Sequence, residues 1–207
     1  MKITMANKFT LIMLSVLFTS CTKTRFNDFN AYKTAIFSKE SGLIKEKTVN
    51  GIKMTIKYLP ADYLIREDMV KNNIIADKKN TDSLRSSYSK SYYFLFSIRQ
   101  TDNGSKKDLL TRDIFNEQDY LAKKYILEFR MNEFFRLKIS DQVYAPVLVH
   151  TENHDEFRDI INIHLLFPIE NGNKDEVTIV YDDPFWNLGK NNFLFETANF
   201  TKYTLNY

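Results

Sequence analysis

Two short runs hold most of the residues whose types and spacing could do chemistry. His150-Thr151-Glu152-Asn153-His154 sets two imidazoles around a carboxylate at alternate positions. On an extended strand, His150, Glu152 and His154 project from one face, and such donors can hold a divalent metal and support metal-assisted hydrolysis. The run also sits where an apolar alternation ends at Val149, and polar residues at a strand-to-loop junction need no further role. Asp182-Asp183-Pro184-Phe185-Trp186 pairs two carboxylates, able to act as acid and base or as calcium ligands. Phe185 and Trp186 beside them could form an aromatic platform for a sugar or a peptide. Asp before Pro is also ordinary turn chemistry, and a lone tryptophan in a small sandwich suits the core or a loop plug. Serine nucleophiles and phosphate cradles lack their motifs: there is no Gly-x-Ser-x-Gly elbow and no Gly-rich phosphate loop. The expectation is therefore no coherent catalytic set and no cofactor, with a divalent metal at His150, Glu152 and His154 as the alternative.

The third reactive position is Cys21, the single cysteine of 207 residues, so no internal disulfide can form. A basic stretch with Lys2 and Lys8 precedes it, then an uncharged, largely apolar run of ten residues, Phe9 to Phe18, then Thr19 and Ser20. Ten to twelve such residues make a helix of roughly 15–18 Å, short of a bilayer core of about 30 Å. An export signal is the stronger reading. Leu17-Phe18-Thr19-Ser20-Cys21 resembles the lipobox of bacterial lipoproteins, with Phe18 standing where the family usually has Leu. The resemblance covers about the first 21 residues. It implies a cleaved signal over residues 1–20, a diacylglyceryl group on the Cys21 thiol, and a membrane tether in place of a span. Thr22 after the cysteine, where Asp would imply inner-membrane retention, implies the outer membrane, facing the periplasm.

Composition narrows the mature part. Apolar residues are 43% and charged residues 27%, enough core and little enough charge to exclude disorder. Of 29 basic residues two lie in the leader, leaving 27 against 26 acidic, a balance that gives no case for nucleic acid. The expected partners are the membrane, through the anchor, and an envelope protein or glycan.

The elements that would position these residues follow from periodicity. Residues 22–26 read as a polar tether. Phe29, Tyr32, Ile36 and Phe37 recur at helical spacing between a cap at Asn27 or Asp28 and a stop at Gly42. The apolar stripe of this helix docks on the domain or, with Arg25, Lys33 and Lys39, lies on an anionic membrane. Alternation predicts strands at 52–58, 92–98, 125–131, 135–139, 143–149, 161–167, 177–181, around 193–195 and at 203–207. It predicts helices at 61–71 and 116–124, a mobile loop at 76–90, and turns at Asp102-Asn103-Gly104 and Asn171-Gly172-Asn173. The strand over 125–131 is preferred to a helix because the period of two resumes at Phe135. The expected fold is mainly β, with α+β as the alternative: an antiparallel β-sandwich-like domain of about eight strands with two or three short peripheral helices. The expected organisation is signal 1–20, lipidated tether with amphipathic helix 21–47, and one β-rich domain 48–207.

Overall fold

The computed structural model describes residues 23–74, 77–101, 109–152, 160–169 and 175–207. The leader, Cys21 and the expected turns at 102–104 and 171–173 lie outside the described residues. The fold is mainly β, a sandwich of two antiparallel sheets with helices around it. One sheet has five strands: β2 (Ile44–Val49), β3 (Ile52–Tyr58), β4 (Ser91–Gln100), β7 (Leu148–Thr151) and β8 (Ile160–Pro168), in the order β2-β3-β4-β8-β7. The other has β5 (Phe135–Ile139), β6 (Gln142–Tyr144), β9 (Glu176–Asp182) and β10 (Lys190–Glu196), in the order β10-β9-β5-β6.

Period-two patterning builds both. In β3, Ile52, Met54, Ile56 and Tyr58 are buried while Lys53, Thr55 and Lys57 face outward, and β8 and β10 alternate likewise. The buried faces meet through aromatic rings: Phe96 lies 5.2 Å from Phe135 and 4.8 Å from Tyr181, and Phe94 lies 5.3 Å from Phe195. Such rings bury large areas and favour edge-on or tilted contacts. As expected, β4 lies inside its sheet, and its outer face is partly covered where Tyr93 meets Tyr88 at 5.3 Å.

Four α-helices surround the sandwich. α1 (Phe29–Ile36) is capped by the Asp28 carboxylate, which accepts the Ala31 N–H at 2.7 Å. Its apolar stripe faces the domain, with Tyr32 and Ile36 fully buried. Gly42, in the left-handed region, ends the following 3₁₀ turn, and a Cβ there would stand 2.5 Å from the Asn199 side chain. α2 (Ala61–Lys71) begins directly after Pro60. The expected loop at 76–90 is instead helix α3 (Lys78–Tyr88), capped by Asp77. It carries almost no apolar stripe. Specific bonds hold it, Arg85 to Asp62 and Tyr88 to Asp68.

Three other expectations are corrected. α4 (Glu117–Phe129), capped by Asn116, runs through the segment expected to be a strand. Leu127 points to the core while Tyr125 and Phe129 stay exposed, so residues that seem to alternate in fact sit on a helix. The expected 143–149 strand breaks at Ala145-Pro146, where a residue without an N–H lets the chain leave β6 in one sheet for β7 in the other. The polar tether is partly a strand: β1 (Thr24–Phe26) pairs in parallel with β11 (Tyr203–Leu205), so the start of the fold is stitched to residues near its end. Among the described residues, no helix is long and apolar enough to cross a membrane.

Three tyrosines in this core set a pH limit. Burial, with Asp62 next in size, raises the Tyr32 hydroxyl well above its ordinary pKa. Burial, then Tyr92, raises Tyr58, and burial, then Asp183, raises Tyr181. With folded values above unfolded ones, stability is complete below about pH 10 and falls as pH rises past it. Each group still protonated in the fold subtracts about 1.4 kcal/mol per pH unit. Alkaline titration should show cooperative unfolding together with tyrosinate absorbance; gradual ionisation of all twelve tyrosines without unfolding would contradict this.

Candidate functional site

The register of β7 against β8 decides what the histidine run can do. Ile161, Ile163, Leu165 and Phe167 occupy the core face of β8, so Asn162 and His164 point outward. His150 pairs directly with His164 and their rings lie 6.3 Å apart. Glu152 continues the ladder, its N–H bonded to the Asn162 carbonyl at 2.9 Å. Its carboxylate accepts from Asn162 Nδ2 at 2.8 Å and from His164 Nε2 at 2.9 Å. Because a carboxylate only accepts, Nε2 is the donor in that bond. The buried Ser97 hydroxyl on β4 extends the chain by donating to Asn162 Oδ1 at 2.7 Å. The result is a polar row across three strands, Ser97–Asn162–Glu152–His164, with His150 at its edge.

The structure thus keeps His150 and Glu152 together and adds His164, whereas His154 lies outside the described residues. Both carboxylate oxygens of Glu152 are engaged, so a cation there would have to displace Asn162 or His164. Among the described residues, no three potential ligands stand close enough to hold a metal. Sequence reasoning missed His164 and Asn162 as partners, because only strand pairing brings them beside Glu152.

The second candidate run divides between solvent and core. Asp182 is exposed and faces Lys190 across the β9–β10 ladder at 3.5 Å. Asp183 turns the other way and organises the loop that follows. Its Oδ1 accepts from the Tyr181 hydroxyl at 2.9 Å and from the Phe185 N–H at 3.3 Å. Its Oδ2 accepts the N–H of Trp186 at 2.7 Å and of Leu188 at 2.9 Å. The Asp183 carboxylate therefore acts as a turn acceptor for three backbone donors. Trp186 is 3% exposed and its Nε1–H donates to the Leu109 carbonyl at 3.0 Å. With that ring inside, the expected aromatic platform reduces to the half-buried Phe185, which leans edge-on against Trp186 at 5.1 Å. Lys123, itself buried, sits 5.7 Å over the Trp186 ring and donates to the Arg112 carbonyl at 2.7 Å. The lone tryptophan is a plug.

A surface that the sequence did not mark lies beside the edge strand β7. A groove of about 320 Å³ opens between the end of α4 and β7, lined by Phe129, Met131, Pro146, Val147 and Leu148 among others. Phe129 is 68%, Val147 64% and Leu148 51% exposed, and Tyr125 stands 5.5 Å from Phe129. The spacing of Leu121, Tyr125 and Phe129 by four was the available signal, once the segment is taken as a helix.

No protein-family model matches the chain, and no curated protein matches it. Among similar solved structures, a crystal structure of a protein of unknown function from Burkholderia pseudomallei aligns with 83% of this chain and 86% of its own, at 10% identity and TM-score 0.37. A crystal structure of a DUF4426 family protein from Pseudomonas aeruginosa aligns with 74% of this chain and 94% of its own, at 9% identity and TM-score 0.35. Likeness at that level carries no argument about activity.

The Asp183 loop yields a direct test. Asp183→Ala leaves three backbone donors and a buried phenol unpaired, which should cost about 2–4 kcal/mol in urea unfolding and shift Trp186 emission to the red. Asp183→Asn should cost less. An unchanged unfolding midpoint in the alanine variant would remove the carboxylate from its organising role.

Proposed function

We propose that the protein is a lipid-anchored module of the cell envelope, held at the outer membrane facing the periplasm, which binds or assembles with a partner protein and performs no catalysis. The observation that carries the anchor is the leader itself: a short basic and apolar run ending in small residues and the only cysteine, Cys21. Support comes from the fold, since β1 begins three residues later at Thr24 and leaves almost no slack between lipid and domain. Two or three acyl chains, at about 0.8 kcal/mol for each buried methylene, would hold such a chain durably.

Support for binding comes from the groove beside β7. Among the described residues β7 pairs only with β8 and its other edge has no partner strand, and Val147 and Leu148 line an apolar floor next to it. An exposed apolar patch on an otherwise charged surface suits an extended apolar segment of a protein that adds to the strand edge. The metal-dependent hydrolase considered from the sequence would need His154 and would need Glu152 freed from Asn162 and His164.

Cys21→Ser in the full precursor should move the protein from the membrane to the soluble fraction and abolish labelling by radioactive palmitate. Membrane retention with serine in that place would defeat the anchor. A photo-crosslinking residue at Val147 should give one discrete adduct in intact cells, lost in a Phe129→Asp background, while the same probe at Lys53 gives none. Equal adducts at Val147 and Lys53 would discard the groove.

A further inference from the structure

Resting on the Cys21 anchor, we infer that the end of the fold formed by β1, β11, α1 and α2 is a foot that docks on the anionic headgroups of the bilayer carrying the lipid. The chain that leads to the anchor enters the fold there. From Cys21 to Thr24 is at most about 10 Å of extended backbone, comparable with a screening length of about 8–10 Å. Whatever surrounds Thr24 therefore feels the membrane's charge.

What surrounds it is basic, and among the described residues its cations have no carboxylate within ion-pair distance. Segments 23–38, 61–71 and 202–207 carry Lys23, Arg25, Lys33, Arg66, Lys71 and Lys202. Against them stand Asp28, Glu67 and Asp68, while Asp62 is taken by Arg85 at 2.8 Å. Counting Asp62 with them, six cations over four carboxylates is an excess of two on this end, when the whole chain after the leader has an excess of one. Charge is segregated toward the anchor. The nearby acids are also occupied in part: Asp28 caps α1, and Asp68 accepts from the Tyr88 hydroxyl.

The cations are held by rings. Lys33 lies 5.9 Å over Tyr63, Arg66 lies 5.9 Å over Phe29, and Lys202 lies 5.2 Å over Tyr203. A ring fixes the stem and leaves the charge uncancelled, so it stays available to a headgroup. Tyr203 and the exposed Tyr207 on the same end supply the amphipathic aromatics that settle at membrane interfaces. The apolar stripe of α1 is inside the domain, so contact is electrostatic and interfacial, without insertion of the helix. The opposite end, with the Asn50–Gly51 turn of the β2–β3 hairpin, lies a seven-residue strand away, roughly 20 Å, and would face away from the bilayer.

The test uses the mature lipidated chain in phosphatidylcholine vesicles containing about 30% phosphatidylglycerol and a headgroup quencher. Because Cys21 is consumed, a fluorophore can be placed through Asn30→Cys on α1 or Thr48→Cys near the far turn. Emission from position 30 should be quenched several-fold more than from 48. Omitting phosphatidylglycerol, adding about 0.5 M salt, or combining Lys23→Glu, Arg25→Glu and Lys33→Glu should erase that contrast while the protein stays on the vesicles, each reversed cation weakening docking roughly fivefold. Equal quenching at the two positions, or a contrast that survives charge reversal, overturns the foot and leaves the anchor standing. Protein that leaves the vesicles before any substitution overturns the anchor, and the foot with it.

Discussion

A single buried carboxylate fixes where the chain enters and leaves the fold. Asp62 on α2 is 7% exposed and takes the Arg85 guanidinium of α3 at 2.8 Å and the Leu205 N–H of β11 at 2.9 Å. The carbonyl of the same residue accepts the Tyr207 hydroxyl at 2.5 Å. A buried charge is costly unless paired and hydrogen-bonded, so these partners are a condition of the fold. β11 is three residues long and its one neighbour is β1, itself three residues. A ribbon of that size has little stability of its own. Asp62, with Phe26 edge-on to Tyr32 at 5.8 Å, is what keeps it in place. The point from which a lipid tether would leave the domain is thereby fixed.

The aromatic seam between the sheets does the same for the rest of the surface. Because Phe94 and Phe96 must meet Phe135, Tyr181 and Phe195, the alternate residues of β4, β8 and β7 have nowhere to go but outward. The Ser97–Asn162–Glu152–His164 row is a consequence of that packing. So is the groove beside β7: the chain crosses from the four-stranded to the five-stranded sheet at Pro146, and among the described residues no further strand covers the edge where Val147 and Leu148 lie. The row is internally satisfied. The groove instead leaves apolar side chains exposed.

Strands were legible in the sequence wherever one face is buried and the other wet, because burial then imposes a period of two, as in 52–58, 135–139 and 177–181. The 61–71 helix was legible through Pro60. What escaped depended on partners distant in sequence. α3 has no apolar stripe, and its fixing residues, Asp62 and Asp68, belong to another helix. At 125–129 the helix exposes Tyr125 and Phe129, which copies a strand's alternation. The strand at 203–207 was legible and is β11, but β1 is too short to show any period, and its pairing with β11 spans the length of the chain. In the candidate sites, His150 and Glu152 were legible as one face of a strand, but their neighbour His164 is supplied by register. Trp186 could not be assigned from type alone, since its burial rests on the Asp183 turn and the Leu109 carbonyl.

The fold and its orientation acquire a cellular meaning only if the chain is tethered where β1 begins. Mass spectrometry of the amino-terminal peptide of protein extracted from membranes measures this directly. The account predicts a peptide that starts at Cys21 and carries the mass of a thioether-linked diacylglyceryl group. A peptide with a free thiol at that position, or one cut elsewhere in the leader, would contradict it.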